Sequence, residues 1–122
     1  MVRILRNPNF KATSKCCLKA VQKEFVLNVR MHNENEKKNI SIGEARVGFI
    51  VTKSIGKSVV RNRVRRRLRA AAYETIRSHG KANRDYIFIG RKHTLDCSYK
   101  TLTYNTIRAL KITKSCQEYN SN

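Results

Sequence analysis

Residues 53–73 of the chain read KSIGKSVVRNRVRRRLRAAAY, and six of the nine residues 61–69 are arginine. Between Glu44 and Glu74 the chain carries nine basic side chains and no carboxylate. A segment whose charges share one sign cannot neutralise itself, so it requires counterions or a polyanionic partner. The stretch therefore predicts a binding surface as well as a structural element.

The apolar residues of this stretch recur at the spacing of an amphipathic α-helix. They fall on one face at about 3.6 residues per turn, which predicts that this face packs on the core. Gly56 suits the turn before the helix because it tolerates positive φ, and the Ser58 hydroxyl is a candidate cap. The predicted core stripe consists of Val60, Val64, Leu68, Ala71, Ala72 and Ile76.

The opposite arc of the same helix is basic. Arg61 and Arg67 lie at its margins, where their methylenes can cover the core edge. Basic helix faces are often only solvated, but here like charges at neighbouring turns repel one another by a few tenths of a kcal/mol per pair. We therefore predict a phosphate-binding face. Its residues are Asn62, Arg63, Arg65, Arg66 and Arg69.

Length and composition indicate a single nucleic-acid-binding domain over residues 1–122, with a polar loop at 32–44 and a disordered tail at 114–122. Lys and Arg number 27 against 8 Asp and Glu, a net charge of +19 that favours a nucleic-acid partner. No apolar run is long enough to span a membrane, and residues 1–11 lack a signal-peptide core. We expect a cytoplasmic protein without a membrane partner.

The remaining pattern predicts an α+β fold. A short helix is expected from Asn7 and Pro8, and a last helix from near Ser98, with Leu102, Ile107 and Leu110 facing the core. Tyr99 and Ile112 fit that face less clearly. Strands are predicted over residues 24–31, 45–52 and 85–92. We expect the first two to be antiparallel neighbours and the third, apolar on both faces, to be central.

No catalytic or metal-binding residues are predicted. The four cysteines lack a CxxC spacing, and the eight acids are scattered rather than paired. Gly56-Lys57-Ser58 resembles the end of a Walker A loop, but Val51 occupies the position of its first glycine. The chain is thus expected to bind and position a partner rather than to break bonds itself.

Residues 46–69, RVGFIVTKSIGKSVVRNRVRRRLR, resemble the signature of the bacterial ribonuclease P protein family, a strand followed by K-x-x-G and a basic helix that opens with R-N-R. The resemblance implies the order α-β-β-β-α-β-α, with a left-handed crossover between parallel strands. It also implies that one protein binds one catalytic RNA subunit, which removes the 5′ leader of precursor tRNA with Mg²⁺. The protein alone is expected to bind no cofactor.

The resemblance assigns two surfaces. The family's contact with the catalytic RNA maps onto the basic helix and its approach, which comprise Lys53, Lys57, Arg61, Asn62, Arg63, Arg65, Arg66 and Arg69. The family's leader cleft maps onto Phe10, Val26, Asn28, Gly48, Ile50 and Thr52.

Two departures from the family pattern lie in the leader cleft. Ser14 and Asn28 stand where relatives often have aromatic residues, and a lost stacking partner weakens binding by about 1–3 kcal/mol per base. Phe10 can contact the leader or plug the space between helix and sheet.

The alternative function is that of a small structural RNA-binding protein of ribosomal type.

Overall fold

The computed structural model describes residues 2–4, 17–32 and 45–115. Their strands are β1 (Val2–Ile4), β2 (Cys17–Val21), β3 (Phe25–Met31), β4 (Ala45–Ile50) and β5 (Arg84–Gly90). Their helices are α1 (Ser58–His79) and α2 (Tyr99–Ile112), with short 3-10 turns at Lys53–Ile55 and Lys92–Leu95.

The strands form one mixed sheet in the order β1-β4-β5-β3-β2. β5 is parallel to β4 and antiparallel to β3, and α1 connects the parallel pair. The α+β class and the central position of the last strand are confirmed. The predicted helix at Asn7 and Pro8 lies outside the described residues, and the handedness of the crossover stays a prediction.

The strands predicted at 24–31 and 45–52 are β3 and β4. Their predicted pairing is wrong, because β5 lies between them. β5 is apolar on both faces, with Tyr86, Ile87 and Phe88 fully buried, so the centre of the sheet suits it best. The order implied by the resemblance contains four strands, but the residue pattern located only the three that are β3, β4 and β5, and it assigned no residues to β1 or β2. In β2 only Ala20 is buried among the residues whose burial is described, so the strand carries little alternation for a sequence pattern to reveal.

Both helices cover the same face of the sheet. The predicted α1 stripe is confirmed from Val64 to Ile76, whereas Val60 is only half-buried. The buried residues of the stripe join a single core with side chains from both α2 and the sheet. Two ring contacts extend this core across three strands, with centroids 5.4 Å apart for Phe25 and Phe88 and 5.8 Å apart for Phe49 and Phe88. α1 is thereby fixed along its length.

Helix α2 begins where the sequence predicts, because the Ser98 hydroxyl accepts a hydrogen bond from the Thr101 amide at 3.1 Å. Leu102 and Leu110 are buried, but Tyr99 and Ile112 at its two ends are exposed. Structure continues to Ser115, which is buried and whose carbonyl accepts from the Lys81 amide at 2.8 Å. Residues 116–122 of the predicted tail lie outside the described residues.

An ionic cluster joins the three inner strands. The register places Asp85 of β5 between Arg30 of β3 and Arg46 of β4. Asp85 is 1% exposed and accepts hydrogen bonds from Arg46 at 2.7 and 2.9 Å and from Arg30 at 2.8 Å. His32 Nε2 lies 2.8 Å from the same carboxylate. Burial raises the pKa of Asp85, but the hydrogen bonds from Arg46, His32 and Arg30 outweigh it and hold the pKa below its usual value.

Replacing Gly90 by alanine is expected to destabilise the protein by about 1–3 kcal/mol. An added Cβ would lie 2.6 Å from Cγ1 of Val64, a buried β-branched side chain with little rotamer freedom. Urea unfolding of Gly90→Ala, Val64→Ala and the double variant measures this. The double variant should lose less stability than the sum of the losses in the two single variants. Strictly additive losses would contradict the close approach of residue 90 to Val64.

Replacing Asp85 by asparagine is expected to lower the free energy of unfolding by about 3 kcal/mol at neutral pH, because Arg30 and Arg46 lose the buried carboxylate between them. The pKa of Asp85 in the folded protein is lower than its ordinary value of about 3.9, so the ionised carboxylate stabilises the fold above that pH. This stabilisation is lost as the pH falls through the folded-state pKa. The difference in the free energy of unfolding between wild type and Asp85→Asn should therefore become smaller below about pH 4. Urea unfolding at several pH values measures it.

Asp96→Asn is the matched control for this experiment, because the Asp96 side chain is 68% exposed and pairs only with His93 among the described residues. It should change stability little at any of these pH values. A gap between wild type and Asp85→Asn that stayed constant with pH would contradict the assigned role of the carboxylate.

Candidate nucleic-acid interface

Helix α1 separates its apolar and basic side chains as the sequence predicts. The stripe from Val64 to Ile76 is buried against the core, whereas Asn62, Arg63, Arg66 and Arg69 are exposed and Arg65 is half-buried. The five residues of the predicted face therefore lie together on the outer side of one rigid helix. Their assignment to RNA binding stays a prediction.

The charge of this face is not neutralised by other described residues. Arg63, Arg66 and Arg69 form no ion pair within residues 2–4, 17–32 and 45–115, and Arg65 donates only to Asn62 Oδ1, at 3.2 Å. The first turn of α1 contains no acidic residue, so the positive end of the helix dipole adds to the same potential.

Arg61 and Arg67 lie at the margins of the face, as predicted. Both are half-buried, and the Nε of each is buried without a hydrogen-bond partner. Arg67 also donates through its guanidinium to the Cys97 carbonyl, which ties α1 to the segment that leads into α2. Arg61 thus belongs to the edge of the predicted contact surface rather than to its exposed centre.

The approach to α1 carries the two predicted lysines. Lys53 begins the 3-10 turn, Lys57 is the N-cap of α1, and both side chains are exposed. Gly56 between them has φ of +152°, which confirms the predicted need for glycine at the turn. The predicted Ser58 cap is wrong: Ser58 is the first helical residue, and no side chain caps this end of α1.

Two grooves run along the basic face. The helix groove, of about 400 Å³, is lined by Val59, Asn62, Arg65, Arg66 and Arg69. The interhelical groove, of about 510 Å³, lies between α1, the 3-10 turn at Lys92–Leu95 and the start of α2. Its lining residues are Arg63, Arg66, Arg67, Ala70, Leu95 and Tyr99.

Leu95 and Tyr99 of the interhelical groove were not predicted as site residues. Tyr99 fits the apolar repeat of α2 less clearly than Leu102 or Leu110, and it lies exposed at the first residue of the helix. An aromatic residue directly after the Ser98 cap was the available signal.

The predicted leader cleft lies on the other face of the sheet. Residues alternate between faces along a strand, so Val26, Asn28, Gly48 and Ile50 share the face that points away from the main core. The register places Ile89 between Val26 and Ile50, and Ile87 between Asn28 and Gly48. The sequence identified the two flanking strands but missed the central isoleucines.

The members of this surface differ in exposure. Val26, Asn28, Gly48 and Ile87 are buried, Ile50 is half-buried, and Thr52 is exposed beyond the end of β4. Asn28 Oδ1 is buried without a hydrogen-bond partner, which leaves an acceptor on this face. Phe10 lies outside the described residues.

The described side chains offer little for metal or covalent chemistry. Within residues 2–4, 17–32 and 45–115, no three His, Cys, Asp or Glu side chains are grouped to hold a metal ion. Cys97 is a free thiol whose pKa is raised by burial, so it is a weak nucleophile at neutral pH. No helix in this part of the chain is long and apolar enough to cross a bilayer.

Known proteins resemble the chain in both sequence and fold. The family model described as Ribonuclease P matches residues 1–114. The "Ribonuclease P protein component" of Streptococcus thermophilus is 33% identical over 112 residues, 92% of each chain. The component of the same name from Paramagnetospirillum magneticum is 50% identical over 66 residues, 54% of this chain and half the length of that relative.

The solved structures agree with these sequence matches. The Staphylococcus aureus RNase P protein superimposes with a TM-score of 0.70 and 27% identity, over 94% of this chain and 97% of that one. The Thermotoga maritima RNase P protein, with a TM-score of 0.67 and 20% identity over 92% and 94% of the two chains, supports the fold alone.

Proposed function

The chain belongs to the ribonuclease P protein family, and from this premise we propose that it is the protein subunit of that ribonucleoprotein. In this role it binds the catalytic RNA and the 5′ leader of precursor tRNA. It assists the Mg²⁺-dependent endonucleolytic removal of the leader, which gives the mature tRNA 5′ end. The observation that carries the proposal is the exposed face of α1, whose arginines are unneutralised within the described residues.

The arginines of α1 suit the backbone of a folded RNA. A guanidinium donates two parallel hydrogen bonds to phosphate oxygens and also stacks on unpaired bases. Asn62 adds an amide that both donates to and accepts from a ribose hydroxyl or a base edge. Because the apolar side of the helix is buried, these groups are presented on a rigid support and lose little freedom on binding.

The chemistry of cleavage is assigned to the RNA subunit and its Mg²⁺ ions. The one fully buried carboxylate in the described sheet, that of Asp85, is already bound by Arg30, Arg46 and His32 and cannot coordinate a metal as well. The protein's part is electrostatic: its cations reduce the repulsion between RNA strands that Mg²⁺ would otherwise have to screen. We propose one protein per RNA, acting in the cytoplasm.

We assign the sheet face of Val26, Asn28, Gly48 and Ile50 to the single-stranded leader. Gly48 has no side chain above the sheet, so a nucleotide can approach the backbone closely there. Asn28 Oδ1 lacks a partner but is buried, so it accepts a hydrogen bond from a ribose hydroxyl or a base only if the leader enters the covered part of this face. Ile89 of β5, which is half-buried between Val26 and Ile50, provides apolar contact beside these positions.

Addition of one equivalent of this protein to the catalytic RNA is expected to restore cleavage of precursor tRNA at low Mg²⁺ concentration, where the RNA alone is inactive. The physical reason is that protein cations replace screening by metal ions. The rate of 5′ leader release measures the effect. The protein without RNA should release no leader; absence of rescue would favour a structural RNA-binding protein instead.

Arg66→Gln is expected to weaken binding to the catalytic RNA and to lower the slope of log K against log salt by about one for each lost phosphate contact. Arg108→Gln is the matched control. It removes the same charge, but Arg108 is exposed on α2 outside both grooves. Filter binding over a range of salt concentrations measures both slopes. Equal slopes for the two variants would contradict the assignment of α1 to the RNA contact.

A further inference from the structure

The interhelical groove differs chemically from the rest of the basic face. Arg63, Arg66 and Arg67 line its α1 side, and Ala70, Leu95 and Tyr99 add apolar and aromatic surface. It is an open groove of about 510 Å³ rather than an enclosed pocket. The helix groove contains no aromatic side chain.

The Tyr99 ring is held in place across this groove. Its hydroxyl donates to Glu74 Oε2 of α1 at 2.5 Å, yet the residue remains 42% exposed. The hydrogen bond to Glu74, with a smaller contribution from burial, raises the pKa of Tyr99 above its ordinary value. An aromatic ring is therefore fixed on α1 while it keeps open surface.

The charges around the ring favour an anion. Arg63 and Arg66 are exposed and form no ion pair with other described residues, while Arg67 is tied to the Cys97 carbonyl. Glu74 accepts the tyrosine hydroxyl through Oε2 and keeps its negative charge, but the arginines of the groove outnumber it. The groove thus combines two available guanidinium groups with an aromatic surface and an apolar lining, which is the combination that binds single-stranded nucleic acid.

We propose that the interhelical groove holds one unpaired nucleotide of an RNA strand, with its base stacked on Tyr99 and its phosphate bound by Arg63 and Arg66. This inference rests on the proposed function and adds a site for single-stranded RNA that is separate from the sheet face assigned to the leader. A base inside a duplex is already stacked on its neighbours, so a helical segment would use the arginines but not the ring.

The test uses a fluorescein-labelled RNA of five uridines and the same strand with abasic ribose at every position. Fluorescence anisotropy gives the dissociation constants of the full chain and its variants at one salt concentration. Tyr99→Leu removes the π surface but keeps an apolar side chain, whereas Tyr99→Phe keeps the ring and removes only the bond to Glu74. Tyr104→Leu is the matched control, an exposed tyrosine of α2 (62%) outside the groove.

Tyr99→Leu is expected to weaken binding of the uridine strand about tenfold. Tyr99→Phe and Tyr104→Leu should stay within about threefold of wild type. On the abasic strand wild type and Tyr99→Leu should bind equally, because no base remains to stack. An unchanged affinity for the uridine strand, or an equal loss on both strands, overturns the proposal.

A second measurement needs no variant. In wild-type protein, the ring proton resonances of Tyr99 should shift upfield on titration with a strand of five adenosines, because a stacked purine shields them; no shift at saturation overturns the proposal. The proposed function is judged separately, by rescue of leader removal with wild-type protein. If rescue succeeds while both Tyr99 measurements are negative, only the nucleotide site is wrong.

Discussion

The burial of aliphatic side chains beneath α1 is the constraint on which the rest of the structure depends. Arg61–Arg65, Arg63–Arg67 and Arg65–Arg69 are like-charge pairs one turn apart, and each costs a few tenths of a kcal/mol. Burying Val64 and Leu68 contributes about 1.5–3 kcal/mol for each side chain. Burial therefore exceeds the repulsion, and the helix forms without neutralising the charge it displays.

The elements with strong local patterns were predictable from the sequence. The period of α1 separates Val64 and Leu68 from Arg63 and Arg66, and the two-sided apolar run of β5 identifies the central strand. The pairing of β3 with β5 rather than with β4 was not predictable from periodicity, because strand neighbours depend on contacts between residues far apart in the chain. The short strands β1 and β2 give too few alternating residues to be recognised.

The site residues divide in the same way. The exposed arginines of α1 follow from position on a helix, which the sequence encodes directly. The role of Asp85 does not, because Arg30 and Arg46 reach it only through the register of three strands. Tyr99 fitted the core face of α2 less clearly than its neighbours, and a helical repeat alone cannot show that the first residue of the helix is exposed.

Strand β5 connects the two proposed RNA surfaces mechanically. Ile87 and Ile89 lie on the sheet face assigned to the leader, whereas Gly90, at the end of the same strand, lies against Val64 and Leu68 of α1. The missing side chain lets helix and strand touch directly, so no flexible layer separates them. The described part of the molecule is in this sense a rigid spacer: if both proposed surfaces bind RNA, the combined thickness of sheet and helix sets the distance between the two bound segments.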